Sequence, residues 1–268
     1  MTRRLIIRPG AIGDFIVSLP AMESLRWGYT EAWTGSPNVP LARFADAAKS
    51  IASTGLDRLG ITIADDVIDR LRKFDAIVSW YGANRPDFRE LVRALDLPFE
   101  FQTALPPAGA GVHAVDFYLN QLGLELGGVP RIAAPKTKCA SRRNGFAVIH
   151  PFAASARKRW PLARFEQLAR RLEKRMPVRW CCGPEDDLPG AVRIPDLYEL
   201  GCWLAEARVF IGNDSGIGHL AAAVGTPVVA IFGPTDPAIW APRGAHVAVV
   251  AKSNLEDISI SEVEDAIG

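Results

Sequence analysis

The residues best suited to chemistry in this chain sit just after short apolar runs. Arg8-Pro9-Gly10-Ala11-Ile12-Gly13-Asp14 follows Leu5-Ile6-Ile7. Its glycines let the backbone turn tightly and come close to a ligand. The spacing is GxxG, not the GxGxxG of dinucleotide sites. A carboxylate directly after Gly13 would repel a pyrophosphate. Asp14 therefore suits a general base facing a hydroxyl, or a helix-start carboxylate serving the helix dipole. On the residues alone the two readings stand level.

Two further segments have the makings of an anion site. His150 to Pro161 (HPFAASARKRWP) carries the Ser155 hydroxyl and three consecutive cations, Arg157, Lys158 and Arg159, to a strand end. A diphosphate would lie there; the alternative is a solvated basic loop. Gly212 to Leu220 (GNDSGIGHL) places small residues between a strand and a helix. Backbone N–H groups at such a helix start bind anions. Asp214 or Ser215 serves equally as a plain N-cap, and a lone histidine such as His219 is more often structural than catalytic.

Three weaker candidates remain. Glu185, in Gly183-Pro184-Glu185-Asp186-Asp187, could accept hydrogen bonds from ribose hydroxyls, or simply occupy a surface turn. Gly233 and Thr235, in the turn Phe232 to Pro237, could edge the same site, although any Gly- and Pro-rich loop reads this way. Arg85, Arg89 and Arg93 fall at helical spacing and would meet an anionic glycolipid or form a solvated helix face.

Alternating β-rich and amphipathic stretches must position these residues. Strands are expected at Leu5–Arg8, Glu31–Thr34, Ala76–Trp80, Phe99–Thr103, Phe146–His150, Val178–Cys182, Val209–Gly212, Val228–Phe232 and His246–Ala251. Helices are expected at Ile12–Trp27, with Pro20 inside, and at about Val112–Leu126, Leu162–Arg175, Leu197–Ala207, Ile217–Val224 and Ser259–Ile267. Gly225 suits the residue after a helix end. Ser261 and Glu264 suit a capping box. This alternation predicts parallel sheets covered on both faces. The polar stretch Lys136–Asn144 (KTKCASRRN) reads as an interdomain linker, dividing the chain into 1–138 and 139–268.

Composition excludes several classes. The 268 residues are 49% hydrophobic, with 31 Lys plus Arg against 30 Asp plus Glu, a net charge of +1. A nucleic-acid partner is not written into that balance. Cys139, Cys181, Cys182 and Cys202 form no CxxC pair, and read as thiols in a reducing cytosol rather than metal ligands. Cys181 and Cys182, as neighbours, should point to opposite faces of a strand. No apolar stretch reaches the length of a bilayer span and no signal peptide is evident, so the expected location is cytoplasmic.

Taken together, the motifs resemble glycosyltransferase family nine, the ADP-heptose:lipopolysaccharide heptosyltransferases. The resemblance rests on RPGAIGDFIVSLPAMESLR (8–26), IHPFAASARKRWPLARFEQLARRL (149–172) and, most specifically, VFIGNDSGIGHLAAAVGTPVVAIFGPTDPAIWAPRG (209–244). It implies a GT-B fold, two Rossmann-like domains facing a central cleft, with the acceptor on a shortened N-terminal domain and the nucleotide-sugar donor on the C-terminal one. It also implies inverting, metal-independent transfer of a sugar, heptose for this family, from an ADP-sugar to a lipopolysaccharide-core-like or other glycan acceptor. No cofactor beyond the donor is implied, and peripheral contact with the inner membrane is left open. By the same resemblance Asp14 matches the catalytic base and Lys158 the lysine that neutralises the leaving diphosphate. Ser155, Asp214, Ser215, Gly216 and His219 match donor-binding positions, with Gly13 and Glu185 completing the set. A GT-B-shaped sugar-nucleotide epimerase and a non-catalytic nucleotide-sugar binder are the competing readings.

Overall fold

A computed structural model describes residues 1–59, 65–107, 109–134 and 145–268. The chain divides into two compact units: Met1–Ala110 with Ala114–Gly128, and Gly111–His113 with Val129–Gly268. The expected linker, the 138/139 join and Cys139 lie outside the described residues. The path into the second unit is set at Ile132, which is buried and donates its N–H to the Ala223 carbonyl.

The first unit is built from β1 (Arg3–Arg8), α1 (Ile12–Ser24), β2 (Tyr29–Thr34), β3 (Ala47–Ser50), α2 (Ile51–Thr54), α3 (Asp65–Leu71), β4 (Ala76–Ser79), α4 (Pro86–Ala94), β5 (Phe99–Phe101) and α5 (Ala114–Gln121). Its five strands are all parallel, in the order β3-β2-β1-β4-β5. Leu5, Ile6 and Ile7 of the central strand are wholly buried, as a strand covered on both faces must be. The chain order reverses between β1 and β4, and loops at such a switch point form the natural ligand crevice of a doubly wound sheet.

The second unit contains β6 (Ala147–His150), α6 (Leu162–Leu172), β7 (Val178–Trp180), α7 (Leu197–Leu204), β8 (Val209–Asn213), α8 (Gly216–Ala223), β9 (Val228–Phe232), α9 (Pro237–Trp240), β10 (Val247–Ala251) and α10 (Ile260–Asp265). Its sheet is parallel throughout, ordered β10-β9-β8-β6-β7. Here the switch point falls between β6 and β8, the strands that lead into the two anion-site segments. Ile149, Ile211 and Ile231 from adjacent strands share one core with Trp160, Phe165 and Leu172 from the α6 side.

Several expected boundaries shift for identifiable reasons. The first helix ends at Ser24, three residues early, because Gly28 turns at φ +62° beneath the Thr2 carbonyl, where any Cβ would collide. Pro20 is accommodated inside that helix. The strand expected through Cys182 ends at Trp180. Cys181 instead bridges Val192, which donates its N–H to the Trp180 carbonyl. Both cysteines are buried, and burial pushes the Cys181 thiol up to about 12. The last helix is capped by Ser259 and Glu262, not Ser261 and Glu264: the Ser259 Oγ accepts from the Glu262 N–H, and the Glu262 carboxylate accepts from the Ser259 N–H. Ile258 and Val263, both fully buried, set that frame. Gly225, at φ +86°, ends α8 as expected. Among the described residues no helix is long and apolar enough to cross a membrane.

Candidate functional site

In the first unit, the turn after β1 is held from below by Arg8. Its side chain is 2% exposed and makes five hydrogen bonds. The partners are the Ser18 hydroxyl at 3.0 Å, the Tyr118 hydroxyl at 2.8 Å, and the carbonyls of Pro9, Ala104 and Asp14. Burial holds the guanidinium below its ordinary pKa, opposed by Tyr118 and by the Asp14 charge. The same burial pushes the Tyr118 phenol up to about 12. The Thr34 hydroxyl ties down the Arg8 carbonyl at 2.8 Å and the Asn38 amide ties down that of Gly10 at 3.1 Å.

Asp14 stands on this platform in the first turn of α1, half-buried. Its Oδ2 accepts the Ala11 N–H at 3.1 Å, so the carboxylate does serve the helix start. Its Oδ1 has no hydrogen-bond partner among the described residues. A Cβ on Gly10, which sits at φ +123°, would approach the Asp14 Cβ to 3.1 Å, so a glycine there gives the carboxylate its room. Gly13 is the second residue of α1 and shares this loop.

In the second unit the two segments meet at the switch point. Lys158 Nζ and Asp214 Oδ2 form an ion pair at 2.7 Å, the lysine side chain 34% exposed and the aspartate 9%. The carboxylate fixes the position of the lysine. Of the other two cations in this segment, Arg157 is exposed, and Arg159 donates its Nε to the Ala153 carbonyl with its guanidinium over the Phe152 ring. Ser155 caps the short 3-10 turn Ala156–Lys158, its Oγ accepting from the Arg157 N–H at 3.3 Å.

Ser215 is the N-cap of α8, but its side chain makes no capping bond. Its Oγ is buried without a partner among the described residues, an unmet demand that a ligand oxygen at the start of the helix would satisfy. Gly216 opens the helix. His219, one turn on, is buried. Burial pulls it down to about 4, with Asp214 and a Trp240 backbone hydrogen bond opposing and His113 and Lys158 reinforcing the fall. It is therefore a neutral imidazole at pH 7. The glycine at 212 is required by close approach: a Cβ there would lie 2.9 Å from the His150 carbonyl.

The remaining candidates are placed apart. Glu185 is exposed on the turn after β7, where Asp186 Oδ2 accepts the Gly183 N–H at 2.9 Å. Gly233 serves packing, since a Cβ would meet Leu255 at 2.8 Å. Arg85, just before α4, donates to the Tyr81 hydroxyl, and on α4 Arg89 lies over the Phe101 ring; Arg89 and Arg93 line a cavity of about 350 Å³ with Phe99 and Phe101. Two residues that sequence patterns passed over are Arg8 and Asn213. An arginine ending a fully apolar strand was the signal for the first. The second had none, because its partners lie some sixty residues away.

The profile of glycosyltransferase family 9 (heptosyltransferase) matches residues 112–265. The chain belongs to this family. The matched span contains Ser155, Lys158, Asp214, Ser215 and His219, whereas Asp14 lies before it. The chain is 35% identical over 120 residues to lipopolysaccharide heptosyltransferase 3 of Escherichia coli strain K12, a stretch covering 37% of this chain and 34% of that protein. The match thus spans about a third of the relative's length. Among solved structures, a family 9 glycosyltransferase from Veillonella parvula superposes with a TM-score of 0.78 at 18% identity, over 99% of this chain and 95% of that one. The E. coli heptosyltransferase WaaC with ADP gives 0.69 at 17% identity, over 99% of each chain. This likeness establishes the fold as GT-B, two Rossmann-like units.

Proposed function

We propose that the chain is an inverting, metal-independent glycosyltransferase that moves a sugar, heptose by its family, from an ADP-sugar to a lipopolysaccharide-core-like or other glycan acceptor. The observation that carries the reading is the second unit's switch point: the Lys158–Asp214 pair beside an unpartnered Ser215 Oγ and the open start of α8. These groups suit a diphosphate, and the family's relatives include a heptosyltransferase whose structure holds ADP.

The chemistry follows from the residues. The acceptor oxygen attacks the anomeric carbon and gives its proton to Asp14 Oδ1. The bond from that carbon to the diphosphate oxygen breaks, and the diphosphate leaves with the electron pair. Charge grows on the leaving group, where Lys158 and the α8 amides would meet it; stabilising developing charge is usually the larger catalytic contribution. Ser215 would donate to a phosphate oxygen, and neutral His219 would add a hydrogen bond without adding charge. Gly13, Ser155 and Gly216 shape the loops, and Glu185 takes the ribose in this reading. A glycolipid acceptor would require work at the cytoplasmic face of the inner membrane and peripheral contact with it.

Calorimetric titration of ADP, UDP, GDP and NADH into the wild type and Lys158→Ala tests the proposal. Tight binding of ADP alone, weakened in the variant, is the expected result. Preference for UDP or GDP would move the donor class. Failure of every diphosphate to bind would remove the donor-site assignment.

A further inference from the structure

The lysine assigned to the leaving group sits on an irregular loop, and the described contacts show what holds that loop. Asn213 is 1% exposed at the end of β8. Its Nδ2 donates to the Pro151 carbonyl at 2.7 Å and its Oδ1 accepts the Trp160 N–H at 2.9 Å. The two bonds grip both ends of residues 152–159, the segment that carries Ser155 and Lys158. The next residue along, Asp214, grips the tip of the same segment through Lys158 Nζ. One amide and one carboxylate, adjacent in sequence, thus fix a loop at its base and at its reacting end.

We infer that Asn213 is a positioning residue that acts through Lys158. An amide is the side chain whose single planar end both donates and accepts, and it does so here without placing a charge beneath a site meant for an anion. If the amide is lost, the Pro151 carbonyl and the Trp160 N–H lose their partners inside the fold. The span from 152 to 159 is then anchored by Trp160 Nε1 on the Ile258 carbonyl and by Lys158 itself. The lysine should swing away from Asp214 more often, and its readiness for a diphosphate should fall. The consequence for ligand binding rests on the donor-site reading; the consequence for the lysine does not.

The test therefore has two arms. The first measures acylation of Lys158 Nζ by acetic anhydride, followed by peptide mass spectrometry, in the wild type, Asn213→Ala, Asn213→Ser and Asp214→Ala, each held well below its unfolding temperature. The Asn213 variants should acylate severalfold faster, approaching Asp214→Ala. An unchanged rate in folded Asn213→Ala or Asn213→Ser would overturn the inference. The serine variant, with a smaller cavity, covers the case in which the alanine variant does not fold. The second arm measures ADP affinity in a double-mutant cycle of Asn213→Ala and Lys158→Ala. Asn213→Ala should weaken ADP about tenfold when Lys158 is present and leave it unchanged when Lys158 is absent, as expected of coupled groups. Equal weakening in both backgrounds would mean that the amide acts on the fold at large, which also overturns the inference. Faster acylation with no ADP binding by the wild type would leave Asn213 in its place and remove the donor reading instead.

Discussion

The two switch-point loops solve the same mechanical problem with opposite electrostatics. Under the Asp14 loop lies a buried cation, Arg8, whose bonds run to hydroxyls and carbonyls and which, among the described residues, has no carboxylate in hydrogen-bond contact. Under the Lys158 loop lies a buried neutral amide, Asn213, and the cation is displaced to the half-exposed rim. Each loop rests on a group that does not compete with what it presents. A carboxylate sits above a positive charge, and the Lys158–Asp214 ion pair sits above a neutral amide. Burying a guanidinium is costly unless it is saturated with acceptors, so the first arrangement is the more brittle of the two.

That contrast can be broken experimentally, starting with the largest effect. Asp14→Asn should lower the transfer rate about 10²- to 10⁴-fold, the range of a lost general base, with ADP affinity unchanged; a parallel loss of ADP binding would place Asp14 in donor binding. Arg8→Met should cost about 2–4 kcal/mol of stability, since Tyr118 and the loop carbonyls lose a buried partner and the core gains a gap. Urea unfolding would measure it, and a loss under ~1 kcal/mol would contradict the cation's structural role.

A third expectation concerns pH. His219 is held neutral in the folded state at about 4, against an ordinary value near 6.5. The unfolded chain binds the extra proton first, so this residue's contribution is whole above about pH 6.5 and is lost as pH falls towards 4. About 2–4 kcal/mol should disappear over that window, and His219→Gln should flatten the slope in urea titrations at pH 4.5 and 7. The smallest effect is at the second unit's closing helix: Ser259→Ala should cost ~1 kcal/mol, a usual price for an N-cap, detectable as a lowered Tm.

Much of this was legible in the residues, unevenly. Runs such as Val228–Phe232 and Leu5–Arg8 betrayed buried strands because both faces are apolar. Ala47–Ser50 did not, since an edge strand reading AAKS carries almost no hydrophobic signal. The clustering of Lys158 with the Asp214 segment followed from their both ending strands. Their pairing at 2.7 Å did not, because sequence fixes which end of a sheet a loop occupies and leaves open which charge it faces. Arg8 and Asn213 escaped notice for the same reason. Their partners Tyr118 and Pro151 lie 110 and 62 residues away, and only the folded sheet brings them together.

The distance from Arg8 to Tyr118 has a consequence for synthesis. α5, which supplies Tyr118, follows the excursion of Gly111–His113 into the second unit, so the first unit is completed by its last-made helix. At a translation rate of about 5–20 residues per second, the guanidinium of Arg8 waits roughly 5–20 s for its phenol. Throughout that interval the carboxyl end of β1, the central strand, carries a charge it cannot yet bury. The nascent first unit should therefore remain loose on the ribosome until residue 121 or so has emerged, and close in a single late step.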